Sequence, residues 1–426
     1  MPSPRRLFLL IAIYLTLTVV FTAVSPLFAA DKENVLKYMR GSPEGGLIFD
    51  ASGNLYGTTN EGGLIGCGYN GGCGTVFELT PQGNGTWKKT VLHDFTFREG
   101  GNPTASLVFD RAGNLYGTTT GCNPDGCNGG SVFELERQAG GQWKSKVLSH
   151  PGQPRGPLIF DQAGNLYGTA ASGGKQEIGS VFQLTPQSNG RWSAKNLYIF
   201  RDGKNSADGN GPVGGLVLDA AGNLYGVTCC GGHSAGICDN YGCGVVFELT
   251  PEAGGKWKQH VLHRFNGKDG FNSAAGLIFD AAGNLYGSTQ SGGNPVNCDG
   301  YGCGVVFELV PQSGGKWTEK VLHNFDFSDG SDPNASLIFD SAGNLYGTTS
   351  FGGGPCFDPR GCGTAFELTP TKNGGWMEKV LFKFRGDDGA YPSSNLIFDS
   401  SGNLYGETFS SNGSAGPGTA FELSQR

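Results

Sequence analysis

The pentapeptide GNLYG occurs seven times, beginning at Gly53, Gly113, Gly164, Gly222, Gly283, Gly343 and Gly402. Successive copies stand 60, 51, 58, 61, 60 and 59 residues apart. Each is preceded by a line such as LIFDAS and followed by one such as GTVFELTP, and in the first six a tryptophan and a strand such as VLHDF come next. A period of this length means that one supersecondary unit is repeated and that neighbouring units share a core. The first unit reads as four short strands: LIFD (Leu47–Asp50), NLYGTT (Asn54–Thr59), GTVFELT (Gly74–Thr80) and W…TVLHDF (Trp87–Phe95). β-branched and aromatic runs bounded by Gly, Asn, Asp and Pro signal strands and hairpins, and no stretch shows a helical apolar period capped at both ends. The expected fold is all-β: a seven-bladed β-propeller of four-stranded antiparallel blades.

The chain ends fit a closed ring. The last unit supplies SNLIFD, NLYGET and GTAFELS and then stops without a fourth strand, whereas NVLKYM (Asn34–Met39) near the other end matches VLHDF. Trp87, Trp143, Trp192, Trp257, Trp317 and Trp376 mark one hairpin per unit between third and fourth strands, and the seventh unit has none. The N-terminal strand is therefore expected to complete the last blade, which removes the open edges of an unclosed array.

The run GNLYGTT…GG…GTVFELTP…VLHDF, with DG in the following loop, resembles the GloVer-type tandem repeat of secreted bacterial proteins. Its D-x-x-G-N-L-Y core also resembles repeats of NHL-type propellers. The resemblance covers residues 34–426 and implies architecture and export; it assigns no activity.

Residues 1–30 read as a secretory signal: Arg5 and Arg6 form a basic start, Leu7 to Val24 are uncharged and apolar, and Ala29 and Ala30 precede Asp31. An uncleaved anchor is the alternative, because the apolar run is long and Leu27 or Phe28 stands where a small residue is preferred. Residues 31–426 then form a single propeller domain, secreted, periplasmic or at the cell surface. Removing Arg5 and Arg6 leaves 28 basic and 37 acidic residues, a formal charge of −9. That balance excludes nucleic acid as a partner, and no membrane association is expected of the processed chain. Its 75 glycines carry no G-X-Y period, so they serve turns rather than a collagen helix. A monomer is expected.

In such blades the loop from second to third strand and the loop between blades open on one face. Here both are long and variable, while the turns on the other face, such as DAAGN, are short and nearly identical. A scaffold that varies one face carries its function there. Five units place a close cysteine pair in this loop: Cys67/Cys73, Cys122/Cys127, Cys238/Cys243, Cys298/Cys303 and Cys356/Cys362. Each loop offers only two thiols and the loops radiate apart, so local disulfides, each contributing about 2 kcal/mol, are preferred to zinc. Cys229 and Cys230 have no counterpart in other units; a vicinal disulfide is expected, with two free thiols or links to other segments as alternatives.

Other motifs carry less. Gly232-His233-Ser234-Ala235-Gly236 fits G-x-S-x-G, and Gly66–Gly71 fits G-x-G-x-x-G, but neither precedes a helix. No cofactor is expected. His93, His263 and His323 recur at a fourth-strand position also held by Lys37, Ser149, Tyr198 and Phe382, which reads as a half-exposed outer site rather than a ligand. The glutamate of F-E-L recurs in six blades, with Gln183 in the third, and is expected to satisfy a buried hydrogen bond in each. No loop has EF-hand spacing, which leaves calcium the acidic blade-to-blade loops with Asp326, Asp329 and Asp332 and with Asp387 and Asp388, which Asp-Gly turns also explain.

The candidate ligand-binding residues are Cys229, Cys230, His233, Asp239, Tyr241, Asp299, Tyr301, Tyr69, Phe357 and Asp358, where aromatics stand beside amides and carboxylates. Such groups suit sugars or peptides, or else the rings pack on their own loops. The expected function is non-catalytic binding or scaffolding, with carbohydrate or protein as ligand. The rivals are a carbohydrate-active lyase or hydrolase at the central opening, and a surface spacer without a small ligand.

Overall fold

The Gly of every GNLYG copy sits opposite the Phe of the following third strand, as in the pair Gly57↔Phe77. A Cβ on these glycines would lie 2.5–2.7 Å from the phenylalanine Cζ in all seven units, so any side chain would expel a fully packed ring. Around that contact the chain forms seven antiparallel sheets. The computed structural model describes residues 30–64, 71–121, 129–172, 178–201, 206–232, 238, 241–296, 298–411 and 416–425. Among these there are no α-helices, only strands and two 3-10 turns, Phe97–Glu99 and Cys298–Gly300.

Blade 1 has strands Ile48–Phe49, Leu55–Thr59, Thr75–Pro81 and Trp87–Asp94 in sequential order. The first is shorter than LIFD, because Asp50 is taken by the turn. Its Oδ1 accepts the backbone N–H groups of Ser52 (2.8 Å) and Asn54 (2.9 Å), and its Oδ2 accepts Asn54 Nδ2 (2.8 Å). The Tyr56 hydroxyl lies 3.2 Å from Asp50 Oδ2 and 3.0 Å from Glu78 Oε1. The recurring glutamate therefore receives the tyrosine of its own blade. In blade 3, where Gln183 replaces it, the amide Nε2 donates to Tyr167 instead, at 3.1 Å.

The same tyrosine reaches the next blade. Tyr56 meets Phe109 and Trp143 edge-on, with ring centroids 5.2 and 6.5 Å apart. Tyr346 meets Phe398 at 5.1 Å. At the closing seam Tyr405 meets Phe49 at 5.2 Å and Trp87 at 6.3 Å, so last and first blades join as any other two do. Closure is by the N-terminal strand: Ala30–Tyr38 pairs antiparallel with Thr419–Gln425, Val35 opposite Phe421. It starts earlier than Asn34, because Thr419–Gln425 offers an edge that pairs through to Gln425.

In each fourth strand that follows a third-strand hairpin the register slips at the same place, as between Val76↔His93 and Phe77↔Val91, and blade 2 slips a second time between Gly130 and Val132. The extra residue makes a bulge, which re-aims side chains. Leu92 then joins the core cluster it forms with Leu107 and Leu115 of blade 2, and His93 follows it toward the same seam, 3.0 Å from Glu99. His263 and His323 are likewise 18% and 19% exposed and pair with Asp269 and Asp329. The position expected to be an outer, half-exposed site is thus a seam position, because the bulge turns it inward.

One seam is chemically distinct. Glu407 stands where other blades have Thr58, Thr118, Thr169, Val227, Ser288 and Thr348, and it is 0% exposed. Its Oε2 accepts Gly46 N–H at 3.0 Å, and its Oε1 is buried without a partner. Burial, only partly offset by that bond and by Lys89, pushes its pKa up to about 8. The folded chain therefore holds a proton that the unfolded chain releases above the ordinary glutamate value. Stability from this group is complete below about pH 4.5 and falls as pH rises toward 8. Denaturant unfolding across that window should show Glu407→Gln losing less stability than the parent, by a few kcal/mol on the order of magnitude of such shifts. Parallel pH profiles would contradict a buried neutral carboxyl.

Candidate functional site

Three repeat positions converge on the propeller axis at the variable face. The innermost is the third residue before the first-strand leucine: Glu44, Thr104, Arg155, Val213, Ala274, Asn334 and Ser393. All seven line one or both of two overlapping cavities of 740 and 570 Å³, which share Glu44, Thr104, Ala274 and Gln290. The wall comes from the residue after the second strand's LYG-x-x: Thr120, Cys229, Gln290, Ser350 and Phe409. The third position, two before the first, supplies Asn272, Asp332 and Tyr391. Together they make one axial bowl. Its floor is tight: a Cβ on Gly45 would lie 2.5 Å from the Ala105 carbonyl of the next blade, and Ser336 N–H donates to Asn395 Oδ1 at 2.8 Å.

The third position is left-handed wherever it is most visible. Asn102, Asn272, Asp332 and Tyr391 have φ of 50°, 57°, 62° and 59°. Asn and Asp tolerate this conformation, but a bulky ring there is an outlier held by its surroundings. Tyr391 is held by its hydroxyl, which donates to Asp358 Oδ2 at 2.7 Å, and by ring contacts with Phe351 and Phe357. Asp358 in turn grips Arg360, with Nη2 to Oδ2 at 3.0 Å, and the guanidinium lies 4.0 Å from the Phe351 centroid. Burial opposes ionisation of Asp358, but hydrogen bonds from Arg360 and Tyr391 prevail and hold its pKa down at about 2. The result is a rigid rim with a fixed cation.

The bowl also holds carboxylates that have little to neutralise them. Burial raises Glu44 to about 7, with Arg155 opposing and Glu61 adding to the shift. Glu44 Oε1 accepts Asn60 Nδ2 at 2.7 Å. Burial raises Asp332 to about 6 against the pull of Arg360. Thr104 Oγ1, Asp332 Oδ1, Asn334 Oδ1 and Ser393 Oγ are all buried without a hydrogen-bond partner. Unpaired buried polar atoms cost about 1–3 kcal/mol each, so these four call for a hydrogen-bonding partner, which water or a polar ligand in the cavity can supply.

Of the residues singled out from the sequence, Cys229 and Asp358 line this bowl. Phe357 packs on Tyr391, while Tyr241 and Tyr301 stand on rim loops, 63% and 51% exposed. Asp299 belongs to the turn Cys298–Gly300. Tyr69, His233 and Asp239, with the signal segment, Cys67, Cys122 and Cys127, lie outside the described residues. Glu44, Arg155, Asp332, Arg360 and Tyr391 were missed. The signal was present: within a repeat whose neighbours stay Pro, Gly, Ala or Ser, one position reads Glu, Thr, Arg, Val, Ala, Asn, Ser around the ring.

Disulfides join Cys238–Cys243, Cys298–Cys303 and Cys356–Cys362, and Cys73 is also disulfide-bonded. They fit an oxidising compartment. No helix among the described residues is long and apolar enough to cross a membrane. The expected vicinal disulfide is absent: Cys229 and Cys230 are free thiols with Sγ atoms 2.9 Å apart. Adjacent Cα atoms across a trans peptide stand about 3.8 Å apart, short of the roughly 4.4–6.8 Å a disulfide prefers, and Leu224–Cys230 runs on as a strand, pairing Cys230 with Asn210. The thiol–thiol hydrogen bond, then burial, pushes Cys229 up and the same bond lowers Cys230. Alkylation of unreduced, denatured protein should label Cys229 and Cys230 but not Cys356 or Cys362. An unlabelled Cys229-Cys230 peptide with an internal disulfide would contradict the structure.

The molecule is thus a seven-bladed β-propeller of sequence repeats with a polar axial bowl on its variable face. The Gloeobacter/Verrucomicrobia repeat matches residues 32–237 and 237–426, and the chain belongs to that family. Comparison with the sequences of curated proteins gives no match. Among solved structures, virginiamycin B lyase from Staphylococcus aureus, crystallised as an inactive variant with quinupristin, is similar at a TM-score of 0.50 and 11% identity. That alignment covers 92% of this chain and 98% of the lyase. An ancestral GH74 enzyme matches at a TM-score of 0.52 and 11% identity, over 89% of this chain and 48% of the enzyme. At such identities the likeness concerns the fold alone.

Proposed function

We propose that the protein is an exported carbohydrate-binding propeller whose axial bowl takes a polar saccharide. The carrying observation is the set of buried, unpartnered polar atoms on Thr104, Asp332, Asn334 and Ser393, contributed by blades 2, 6 and 7. A sugar's hydroxyls can donate to and accept from such groups, while Phe351, Tyr391 and Phe409 offer apolar faces for its C–H surface. The concavity favours a glycan chain end over a broad protein surface. Export accords with the disulfides and with the signal-like residues 1–30.

The test is a glycan array followed by calorimetry on the best binder. Asp332→Ala and Asn334→Ala should each weaken binding by about tenfold, the cost of one buried hydrogen bond. Lys316→Ala, in the third-to-fourth-strand hairpin on the other face, should leave binding unchanged. Absence of binding to any glycan, or equal affinity in all three variants, would overturn the proposal.

One observation favours a catalytic version of the same site. Glu44 and Asp332, raised to about 7 and 6, can hold or release a proton near neutrality, as general acids and bases must. Cleavage of the bound glycan with a pH optimum between those values, abolished in Glu44→Gln, would support a lyase or hydrolase. Binding without turnover leaves the non-catalytic reading in place.

A further inference from the structure

Away from the bowl, the fourth strands of neighbouring blades meet at seams built on one pattern. The bulge aims the residue six after the tryptophan toward the next blade, the blade-to-blade loop brings an acid, and the next blade presents the residue two after its tryptophan. Between blades 4 and 5 these are His263, Asp269 and Glu319; between blades 5 and 6 they are His323, Asp329 and Glu378. In each trio one imidazole nitrogen and two carboxylate oxygens lie within 4.8 Å of one another.

Other seams of the same chain show how this pattern looks when it is closed by hydrogen bonds alone. Between blades 1 and 2 the last position is Ser145, which donates to Glu99 Oε1 at 2.6 Å beside His93. Between blades 3 and 4 it is Gln259, which donates to the Asp208 carbonyl at 2.9 Å, while Tyr198 replaces the histidine and donates to Asp208 Oδ2 at 2.5 Å. Between blades 6 and 7 Glu33 meets Asp388, but Phe382 stands in place of the imidazole. Only the two seams named first combine histidine with two carboxylates among the described residues. There Glu319 Oε1 and Glu378 Oε1 are buried without a partner. A second carboxylate set against an aspartate, with no donor for its inner oxygen, lacks what Ser145 and Gln259 supply.

We propose that these two seams are divalent transition-metal sites of zinc type, each formed by one histidine and one aspartate from a blade and one glutamate from the next. The donor set selects the metal class: imidazole with carboxylates suits zinc, whereas calcium and magnesium prefer all-oxygen shells with more ligands. Ligands about 2.0–2.1 Å from a tetrahedral ion stand roughly 3.3 Å apart; the hydrogen-bonded His263 Nε2–Asp269 Oδ2 and His323 Nε2–Asp329 Oδ2 pairs stand 3.2 and 3.0 Å apart, and in each trio the glutamate oxygen lies within 4.8 Å of both. Three protein ligands leave a fourth position for water. Outer support is present too: Asn266 holds Asp269 through its backbone N–H at 2.8 Å and Nδ2 at 2.6 Å. In the second trio Asp326 takes that place and donates its N–H to Asp329 Oδ1 at 3.0 Å, adding a negative charge that should make this the tighter site. An ion here would tie blade 4 to 5 and 5 to 6 by bonds that the other seams do not have.

The test uses the whole secreted chain, stripped with a chelator and titrated with zinc against a chromophoric competitor, with bound metal counted by mass spectrometry. Two zinc ions per chain are expected. Glu319→Gln and Glu378→Gln should each retain one, the double variant none, and His93→Ala still two. X-ray absorption of the zinc-loaded parent should show a single imidazole among oxygen donors at each ion, a readout that survives if a variant fails to fold. No retained zinc, two zinc ions in the double variant, or calcium bound in preference to zinc would overturn the proposal. None of these outcomes depends on what occupies the axial bowl.

Discussion

One tyrosine per blade ties the molecule together. Its hydroxyl bridges the turn aspartate and the third-strand glutamate (Gln183 in blade 3) of its own sheet, and its ring edge meets an aromatic ring of the next blade: a phenylalanine with a tryptophan at most seams, the phenylalanine alone for Tyr346, and Trp257 alone for Tyr167, where Leu218 replaces the phenylalanine. Local turn, sheet and ring closure therefore share a single side chain. Edge-to-face pairs add roughly 0.5–1.5 kcal/mol beyond area burial, and the contact recurs at every seam, including the last, where Tyr405 meets Phe49. The glycine after the tyrosine lets the third-strand phenylalanine lie flat against the second strand. A chain that repeats these few residues has no freedom left in how its blades stack.

That rigidity has a consequence for function. The plain face is occupied by the aspartate turns and cannot vary without loosening the tyrosine. The axis and the opposite loops are free of that duty, and there the repeat diverges: charged, amide, hydroxyl and aromatic groups ring one bowl, with Tyr391 held in a left-handed backbone by Asp358 and its aromatic neighbours. The seams form a third zone. There the same backbone geometry is closed by serine, glutamine, aromatic or carboxylate groups in different blades, so the chemistry between blades changes without any change in the fold.

Much of this was legible from the chain alone. The seven-fold period, the missing seventh tryptophan and the match of NVLKYM to VLHDF suffice for the closed ring, because repeat number and strand count leave few ways to bury both faces of each sheet. Three of the five expected local cysteine pairs, Cys238–Cys243, Cys298–Cys303 and Cys356–Cys362, are present and were legible for the same reason: partners five or six residues apart in a Gly-rich loop need no long-range information. The candidate ligand residues were read from loops that look unusual, and this favoured rim positions such as Tyr241 and Tyr301 over the bowl itself.

Sequence by itself determined which residues repeat, and hence the architecture, since steric pairs such as Gly57 with Phe77 and hydrogen-bonded sets such as Asp50, Asn54 and Tyr56 lie within one unit. Only the tertiary structure decided what residues from different units do together. Glu44, Arg155 and Asn334 stand far apart in the chain and line one bowl because the ring brings the same position of every blade to the axis. His263 and Glu319 meet because a one-residue bulge turns the first toward a strand of the next blade. Adjacent Cys229 and Cys230 are free thiols whose Sγ atoms lie 2.9 Å apart, a closeness that only the folded backbone reveals.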